Sequence, residues 1–236
     1  MARRSAHFDA SRYFRGAGDL GFYNVGTGPV RALSKDIYRV HRDTWSVDDA
    51  LAFANILIRD RYLEVKSVGV EVMACYRPDF SPKLLPAWKR WLARNYSSNW
   101  ATTDSICGSL IGPLLVNHPT LLTRMRAWSR DRNMWVRRAS AVAVIPSVRR
   151  GVALDLGYAI ARALHADRED LIQKAVGWML REAGKADSLR LERYLRANGP
   201  LIPRTTLRYA IERFSSTKRS ELLEVTKGPR RAKDGR

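Results

Sequence analysis

Trp100 and Asp104 are the two residues of this sequence whose types and spacing best suit a chemical site. A helix is predicted to begin just before them, because good N-cap residues stand at 97–99 and apolar residues then recur at helical spacing as far as Leu114. Residues four apart share one face of a helix, so the indole and the carboxylate would lie one turn apart. No residue three or four positions from Asp104 is Lys or Arg, and a carboxylate among small and aromatic neighbours is costly unless a more distant group stabilises it. Both groups attract positive charge, and costly arrangements of this kind concentrate at functional sites.

The charge of the chain indicates the class of its partner. Among 236 residues, 42 are Lys or Arg and 23 are Asp or Glu, which gives a formal net charge of +19. This imbalance opposes compaction by self-repulsion, so a polyanionic partner is its natural explanation. Nucleic acid is the predicted partner, and ribosome association or an anionic membrane surface are the alternatives.

Composition and length favour a folded cytosolic protein. The hydrophobic share of 45% is too high for a disordered chain, and no apolar run approaches the ~20 residues that a membrane span needs. The first eleven residues are basic and polar without an apolar core, so we expect no secretory signal. Cys75 and Cys107 fall within predicted helices, as small core residues do in a reducing compartment. We therefore expect a cytoplasmic protein that associates with the nucleoid through DNA.

The sequence offers no motif for a metal or a covalent nucleophile. His7, His41, His118 and His165 are scattered without the spacing of metal ligands, and no Ser or Cys stands in a motif with a partnered His. We expect no metal and no cofactor.

Paired helices repeat along the chain. From Pro29 onward the apolar pattern is helical, and no alternating stretch indicates a strand. The helices after the first are predicted over 47–59, 63–76, 82–95, 99–116, 119–130, 134–145, 148–164, 169–183, 188–197 and 203–214. The second helix of successive pairs opens at 64, 100, 135, 171 and 204, at intervals of 36, 35, 36 and 33 residues. An irregular bundle would not keep such an interval, so we predict an all-α fold, an α-solenoid of HEAT-like helical repeats forming a curved single domain with a basic concave face.

The predicted domain is flanked by two basic segments. Residues 1–28 form a basic, Gly-rich N-terminal segment, residues 29–215 the HEAT-like repeat domain, and residues 216–236 a basic C-terminal tail. The sequence Gly26-Thr-Gly-Pro29 lacks the Gly-Lys-Ser/Thr ending of a phosphate loop, so it is interpreted as a turn before the first helix.

Alignment of the repeats singles out particular positions. Two and three residues after the starts stand Lys66, Thr102 and Thr103, Arg137 and Arg138, then Gln173 and Lys174. Cations beside helix N-termini would suit a phosphate backbone, and the alternative is a solvated edge of each helix. Four residues after the starts Asp104 is the polar exception, and seven after them Trp178 is the aromatic exception. Two such exceptions suggest a site carried on a repetitive scaffold.

Three motifs resemble the AlkD-type DNA alkylation repair glycosylases, a HEAT-like repeat family that excises alkylated bases. They are Asn99-Trp-Ala-Thr-Thr-Asp104, Asn133-Met-Trp-Val-Arg-Arg-Ala139 and Leu171-Ile-Gln-Lys-Ala-Val-Gly-Trp-Met-Leu-Arg-Glu182, and the resemblance covers roughly Tyr13 to Phe214. It implies that Asp104 is the catalytic carboxylate, that Trp100 and Trp178 are the two cleft tryptophans, that Arg138 lies beside the site and that Tyr13 lies at the edge of the cleft. The glycine-rich stretch 16–28 departs from the family pattern, and the tail 227–236 has no counterpart in it.

The chemistry of alkylated purines fits these residues. Alkylation at N7 or N3 makes the base cationic and a good leaving group, and the sugar gains oxocarbenium character as the bond breaks. Asp104 would stabilise that charge and orient the attacking water, and each indole would attract the cation by roughly 0.5–2 kcal/mol. Arg138 would hold a flanking phosphate and keep Asp104 ionised. The side chains expected to contact double-stranded DNA are Tyr13, Lys66, Arg137, Lys174 and Arg181.

The leading hypothesis is a monomeric, monofunctional glycosylase for N7- and N3-alkylpurines such as 7-methylguanine and 3-methyladenine. A concave groove would select lesions by their lability and charge more than by a snug pocket. The alternatives are a non-catalytic HEAT-repeat protein that binds damaged or branched DNA, and a solenoid that binds RNA or protein. Cleavage of the abasic product is not expected, because Lys174 is the only amine that the alignment places near the site.

Overall fold

The computed structural model describes Phe14 and residues 19–227, and these residues contain helices but no strand. The α-helices are α1 (Thr27–His41), α2 (Val47–Leu57), α3 (Leu63–Cys75), α4 (Leu85–Ala93), α5 (Trp100–Ile106), α6 (Gly112–Asn117), α7 (Leu122–Trp128), α8 (Met134–Val142), α9 (Ile145–Arg149), α10 (Leu154–Leu164), α11 (Asp170–Ala186), α12 (Ser188–Asn198), α13 (Arg204–Ala210) and α14 (Ser216–Val225). The predicted all-α class is confirmed. Within the described part of the chain, no single helix is long and apolar enough to cross a membrane.

The chain divides into two compact units, Met1–Pro119 and Thr120–Arg236. In the first unit α3 packs against α1, α2 and α5, and the core includes the fully buried rings of Trp88 and Trp91. Helix α2 begins with a capping box, in which the Ser46 hydroxyl accepts from the Asp49 amide and the Asp49 carboxylate accepts from the Ser46 amide.

In the second unit α11 is the central helix. It packs against α8, α9, α10, α12 and α13. Its buried side is small and aliphatic, with Ile172, Ala175, Val176, Met179 and Leu180 among the residues of the core. This stripe at spacings of three and four residues is the pattern that places one face of a helix against its neighbours.

The repeat pattern predicted the second helices to within one residue. Helices α3, α5, α8, α11 and α13 begin at residues 63, 100, 134, 170 and 204. Within the first unit α3 contacts α5, and within the second α11 contacts both α8 and α13, as successive repeats do when they share a continuous core.

One predicted helix is wrong, and a further helix lies beyond residue 215. The helix predicted over 148–164 is interrupted between α9 and α10, where Gly151 takes a φ of +76°, which favours glycine. At the other end, α14 lies within the predicted basic tail. Its Leu222 is fully buried and its Lys218 Nζ lies 3.0 Å from Glu192 Oε1 on α12. The packed helical region therefore extends past the predicted limit at residue 215.

Candidate active site

Trp100 and Asp104 occupy the first turns of α5. The helix begins where predicted because Asn99 caps it, with its Oδ1 accepting from the Thr102 amide at 2.8 Å. The Asn99 amide group is itself fixed, since it donates to the Ser97 carbonyl at 2.7 Å. Thr102 and Thr103 point into the core, whereas Trp100 and Asp104 are half-buried. A rigid cap thus sets the indole and the carboxylate one turn apart on the partly open face of the helix.

The helix widens three residues after Asp104. Residues Cys107–Ile111 form a π-helical turn between α5 and α6. Within this turn Gly108 is exposed, and a Cβ built there would meet none of the described atoms outside its own helix within 4 Å. The exposed Gly108 thus has open space beside it, four residues after Asp104. π-Helical turns are frequent at functional sites. Apolar spacing did not reveal it, because Leu110 and Leu114 also fit an ordinary α-helix.

An aromatic residue that the sequence prediction missed covers one face of Trp100. The ring of Phe14 stacks on the indole with a centroid distance of 5.3 Å and an interplanar angle of 11°. Phe22 packs against Phe14 at 5.4 Å. The neighbouring Tyr13, predicted to lie at the edge of the cleft, falls outside the described residues. The run Arg-Tyr-Phe-Arg at 12–15 was the available signal.

The start of α3 anchors the segment that carries Phe22. Gly21 forms a parallel bridge with Tyr62, with its N–H donating to the Arg61 carbonyl at 2.9 Å and its carbonyl accepting from the Leu63 amide at 3.0 Å. A Cβ at Gly21 would lie 2.8 Å from the Tyr62 ring, so only glycine permits this approach.

A buried carboxylate completes this attachment. Glu64 is only 8% exposed, and its two oxygens accept from the amides of Tyr23 at 3.0 Å and Val25 at 3.2 Å. The Tyr23 ring also stacks on Tyr62 with a centroid distance of 4.2 Å. The described part of the glycine-rich stretch, from residue 19 onward, is thus docked against the start of α3.

Lys66 does not have the role predicted from the repeat alignment. It is 4% exposed, and its ammonium donates to the carbonyl of Ile58 at 2.9 Å and to that of Tyr96 at 2.7 Å. Burial lowers the pKa of Lys66, with the charge of Asp60 opposing that shift. The side chain ties the loop before α3 to the loop before α5, so it is not available to a DNA phosphate in this structure.

Arg137, in the second unit, likewise binds carbonyls of its own chain. Its Nε lies 2.7 Å from Asp167 Oδ2, and its Nη1 donates to the carbonyls of Asp131 at 3.0 Å and Arg132 at 2.9 Å. At the equivalent position of the next repeat, Gln173 donates to the Asp167 carbonyl at 3.0 Å. At Lys66, Arg137 and Gln173, the aligned side chains therefore bind loop carbonyls of their own chain, in place of the predicted phosphate track and of the alternative of a solvated edge.

Arg138 is a buried residue at the next position. It is 5% exposed, and its Nη1 donates to the carbonyl of Leu171 in the first turn of α11. The guanidinium also lies near enough to Lys174 to act on the pKa of that amine, which is raised chiefly by its hydrogen bond to Asp170. Through this hydrogen bond, Arg138 connects α8 with the start of α11.

Lys174, Trp178 and Arg181 share one face of α11. They are spaced by four and three residues, and all are half-buried. The Lys174 ammonium lies 2.6 Å from Asp170 Oδ2, and Arg181 pairs with Glu212 in the turn after α13. Two cations beside an indole suit a nucleic-acid backbone, provided that phosphate oxygens replace the carboxylates that now hold them.

Among the described residues, no three His, Cys, Asp or Glu side chains are grouped as metal ligands. The chemistry open to the first unit is therefore that of a carboxylate beside an aromatic stack, and that open to α11 is contact with anions and base faces.

Comparison with known proteins found a matching family model and a solved structure of similar fold. The family model described as DNA alkylation repair enzyme matches residues 3–214. A solved structure described as a "Predicted DNA alkylation repair enzyme from Enterococcus faecalis" has the same fold, with a TM-score of 0.74 and 20% sequence identity over 84% of this chain and 90% of that one. No protein of curated function matches the sequence significantly.

Proposed function

Since this chain belongs to the DNA alkylation repair enzyme family, we propose that it is a DNA glycosylase that hydrolyses the N-glycosidic bond of purines alkylated at N7 or N3. The carboxylate of Asp104, one turn from an indole on α5, is the observation that carries the proposal. The AlkD-type mechanism and the two substrates, 7-methylguanine and 3-methyladenine, are part of the same proposal.

The reaction needs little help from the enzyme to release the base. A cationic purine leaves as a neutral base with the electron pair of the glycosidic bond, while C1′ of the deoxyribose gains oxocarbenium character. Water then adds to C1′ and loses a proton, which gives an abasic site. In this scheme Asp104 stabilises the positive charge that develops on the sugar as the bond breaks, and it accepts the proton of the attacking water.

The aromatic pair supports the selection of a cationic lesion. Trp100 presents a π face beside Asp104, and Phe14 stacks on that indole at 5.3 Å. Indole faces attract cations and stack with bases, each by roughly 0.5–3 kcal/mol. The open space beside Gly108 gives room next to the carboxylate, so selection by charge and lability does not need an enclosed pocket.

The face of α11 is proposed to contact the DNA. Lys174 and Arg181 would exchange their carboxylate partners for backbone phosphates, and Trp178 would stack on a nucleotide. Arg138 is buried against Leu171, so we assign it a positioning role toward α11 in place of the direct phosphate contact.

The first test compares wild type, Asp104→Asn and Asp43→Asn on a duplex containing 7-methylguanine. The control removes the same charge from a side chain that is 84% exposed in the loop after α1. We expect Asp104→Asn to bind the duplex within about threefold of wild type and to release base about 10²–10³-fold more slowly, as loss of a charge-stabilising group does. Asp43→Asn should match wild type in both measurements.

Two outcomes would overturn this assignment. Equal base release by wild type and Asp104→Asn would show that the carboxylate is not catalytic. Tight binding by wild type with base release at the spontaneous rate would show a DNA-binding protein without glycosylase activity.

A further inference from the structure

A cleft lies between α10 and α12 in the unit Thr120–Arg236. Its volume is about 440 Å³. The charged and aromatic residues that line it are Asp155, Tyr158, Arg162, Arg190, Arg193 and Tyr194. The cleft therefore holds three arginines and one carboxylate. It is formed by the first helices of two successive pairs, and no residue of α11 lines it.

Two buried tyrosine rings support two of the three arginines, Arg162 and Arg190. Tyr158 and Tyr194 are 3% and 7% exposed, and their rings pack at a centroid distance of 4.6 Å. The Arg190 guanidinium lies over Tyr158 at 5.1 Å, and the Arg162 guanidinium lies over Tyr194 at 6.0 Å. A guanidinium whose flat face lies on an aromatic ring can still donate hydrogen bonds from the N–H groups along its edge. The spacing of those N–H groups matches the oxygens of a phosphate group.

The Tyr158 hydroxyl is a buried donor that nothing in the described part of the chain uses. It has no hydrogen-bond partner there, although buried hydroxyls are almost always paired. Burial raises the pKa of Tyr158 to about 12, so the hydroxyl stays protonated at neutral pH. The neighbouring Tyr194 differs, because its hydroxyl lies 2.8 Å from His165 Nε2.

We propose that this cleft binds a phosphate ester, with Arg190, Arg193 and the Tyr158 hydroxyl donating to its oxygens. Phosphate oxygens are strong acceptors that arginine forks bind in pairs, and a phosphate would satisfy the buried hydroxyl as well. Arg190 already pairs with Asp155, whose side chain is 93% exposed, so a ligand can displace that carboxylate at little cost. The phosphate comes either from a DNA backbone or from a free nucleotide.

The test uses the full chain, with pyrophosphate, a 5′-phosphorylated thymidine dinucleotide and an undamaged 20-base-pair duplex as probes. The variants are Arg190→Gln/Arg193→Gln and Tyr158→Phe. The control Arg130→Gln/Arg150→Gln removes the same charge from two exposed residues outside the cleft. Calorimetric titration gives each Kd at one salt concentration, and thermal unfolding checks that every variant is folded.

We expect the Arg190/Arg193 variant to weaken pyrophosphate and dinucleotide binding about tenfold or more, and the control to change it less than about twofold. Tyr158→Phe should keep or raise the Tm of the free protein, because it removes an unpaired buried hydroxyl, and should reduce the rise in Tm that pyrophosphate causes. A matching loss of duplex affinity identifies the DNA backbone as the source, whereas unchanged duplex affinity identifies a free nucleotide.

Equal weakening in the Arg190/Arg193 variant and the control would overturn the proposal, because it would show only an effect of net charge. An unchanged response of Tyr158→Phe to pyrophosphate would also overturn it. Base release from 7-methylguanine by wild type is measured separately, so a failure here is distinct from a failure of the proposed function.

Discussion

At the scale of single residues, burial separates cations that hold the chain together from cations that can meet DNA. Lys66 and Lys174 stand at neighbouring positions of the repeat, two and three residues after the predicted starts. The Lys66 ammonium is enclosed and bonded to two carbonyls, whereas the Lys174 side chain is 40% exposed and paired within its own helix. A buried ammonium must keep its hydrogen bonds, but an exposed one can exchange partners.

This contrast predicts opposite effects for the same substitution. Lys66→Met leaves two carbonyls without their donor, so we expect the free energy of unfolding to fall by about 1–3 kcal/mol while affinity for undamaged duplex stays within about twofold. Lys174→Met should lower duplex affinity severalfold and change the free energy of unfolding by less than about 0.5 kcal/mol. Urea denaturation and fluorescence anisotropy at one salt concentration measure the two quantities. The reverse pattern would return Lys66 to the DNA-contact surface.

At the scale of elements, the segment before α1 depends on one carboxylate. Glu64 at the start of α3 accepts from two backbone amides some forty residues earlier in the chain. Through this contact and the Gly21 bridge, the segment containing Phe22 is fixed, and Phe22 packs on the ring that stacks on Trp100.

Glu64→Gln should therefore loosen the segment without unfolding α3. A neutral amide has one acceptor oxygen in place of two, so we expect hydrogen exchange at the Tyr23 and Val25 amides to accelerate about tenfold. Base release should slow because Phe14 loses its support beside Trp100. Glu71→Gln is the control, since Glu71 lies on the same helix and pairs only with Arg31 at 3.5 Å among the ion pairs described. Unchanged exchange in Glu64→Gln would show that other contacts hold the segment.

Elements that follow local rules were predictable from the sequence, and contacts between distant residues were not. Asn99 and the apolar residues after it identified the start of α5, and the same reasoning placed the other second helices to within one residue. The π-helical turn at Cys107–Ile111 was missed because its apolar spacing also fits an α-helix. The docking of residues 19–26 was missed because nothing in the sequence near Glu64 indicates that its carboxylate binds backbone amides about forty residues away.

The same distinction applies to the residues of the candidate site. Asp104 and Trp100 were found because they break a repeat pattern that the sequence itself displays. Lys66 and Arg137 fit that pattern equally well, but their inward direction depends on loops at Tyr96 and Asp167, which only the folded chain brings near. Residue type and spacing therefore identified the special positions and could not decide which of them face a ligand.

At the scale of the whole molecule, the net charge of +19 should dominate DNA affinity and its dependence on salt. Several arginines are held by carboxylates, as Arg137 is by Asp167, yet the excess of cations is too large for internal pairing to absorb. Each phosphate that a cation neutralises releases condensed counterions, so the logarithm of the binding constant falls linearly with the logarithm of salt concentration.

For about six to ten phosphate contacts, we expect a slope of about −5 to −9 between 50 and 200 mM NaCl, measured by anisotropy on a duplex. Undamaged duplex and duplex containing 7-methylguanine should give the same slope, because the lesion adds a contact to a base and none to a phosphate. Asp104→Asn should share that slope while losing base release, since Asp104 is assigned to the sugar cation and not to the backbone. Duplex DNA should also outcompete RNA of equal length at each salt concentration. A slope near zero, or RNA binding as tight as DNA, would exclude backbone binding of duplex DNA as the source of affinity and would favour a solenoid that recognises RNA or protein.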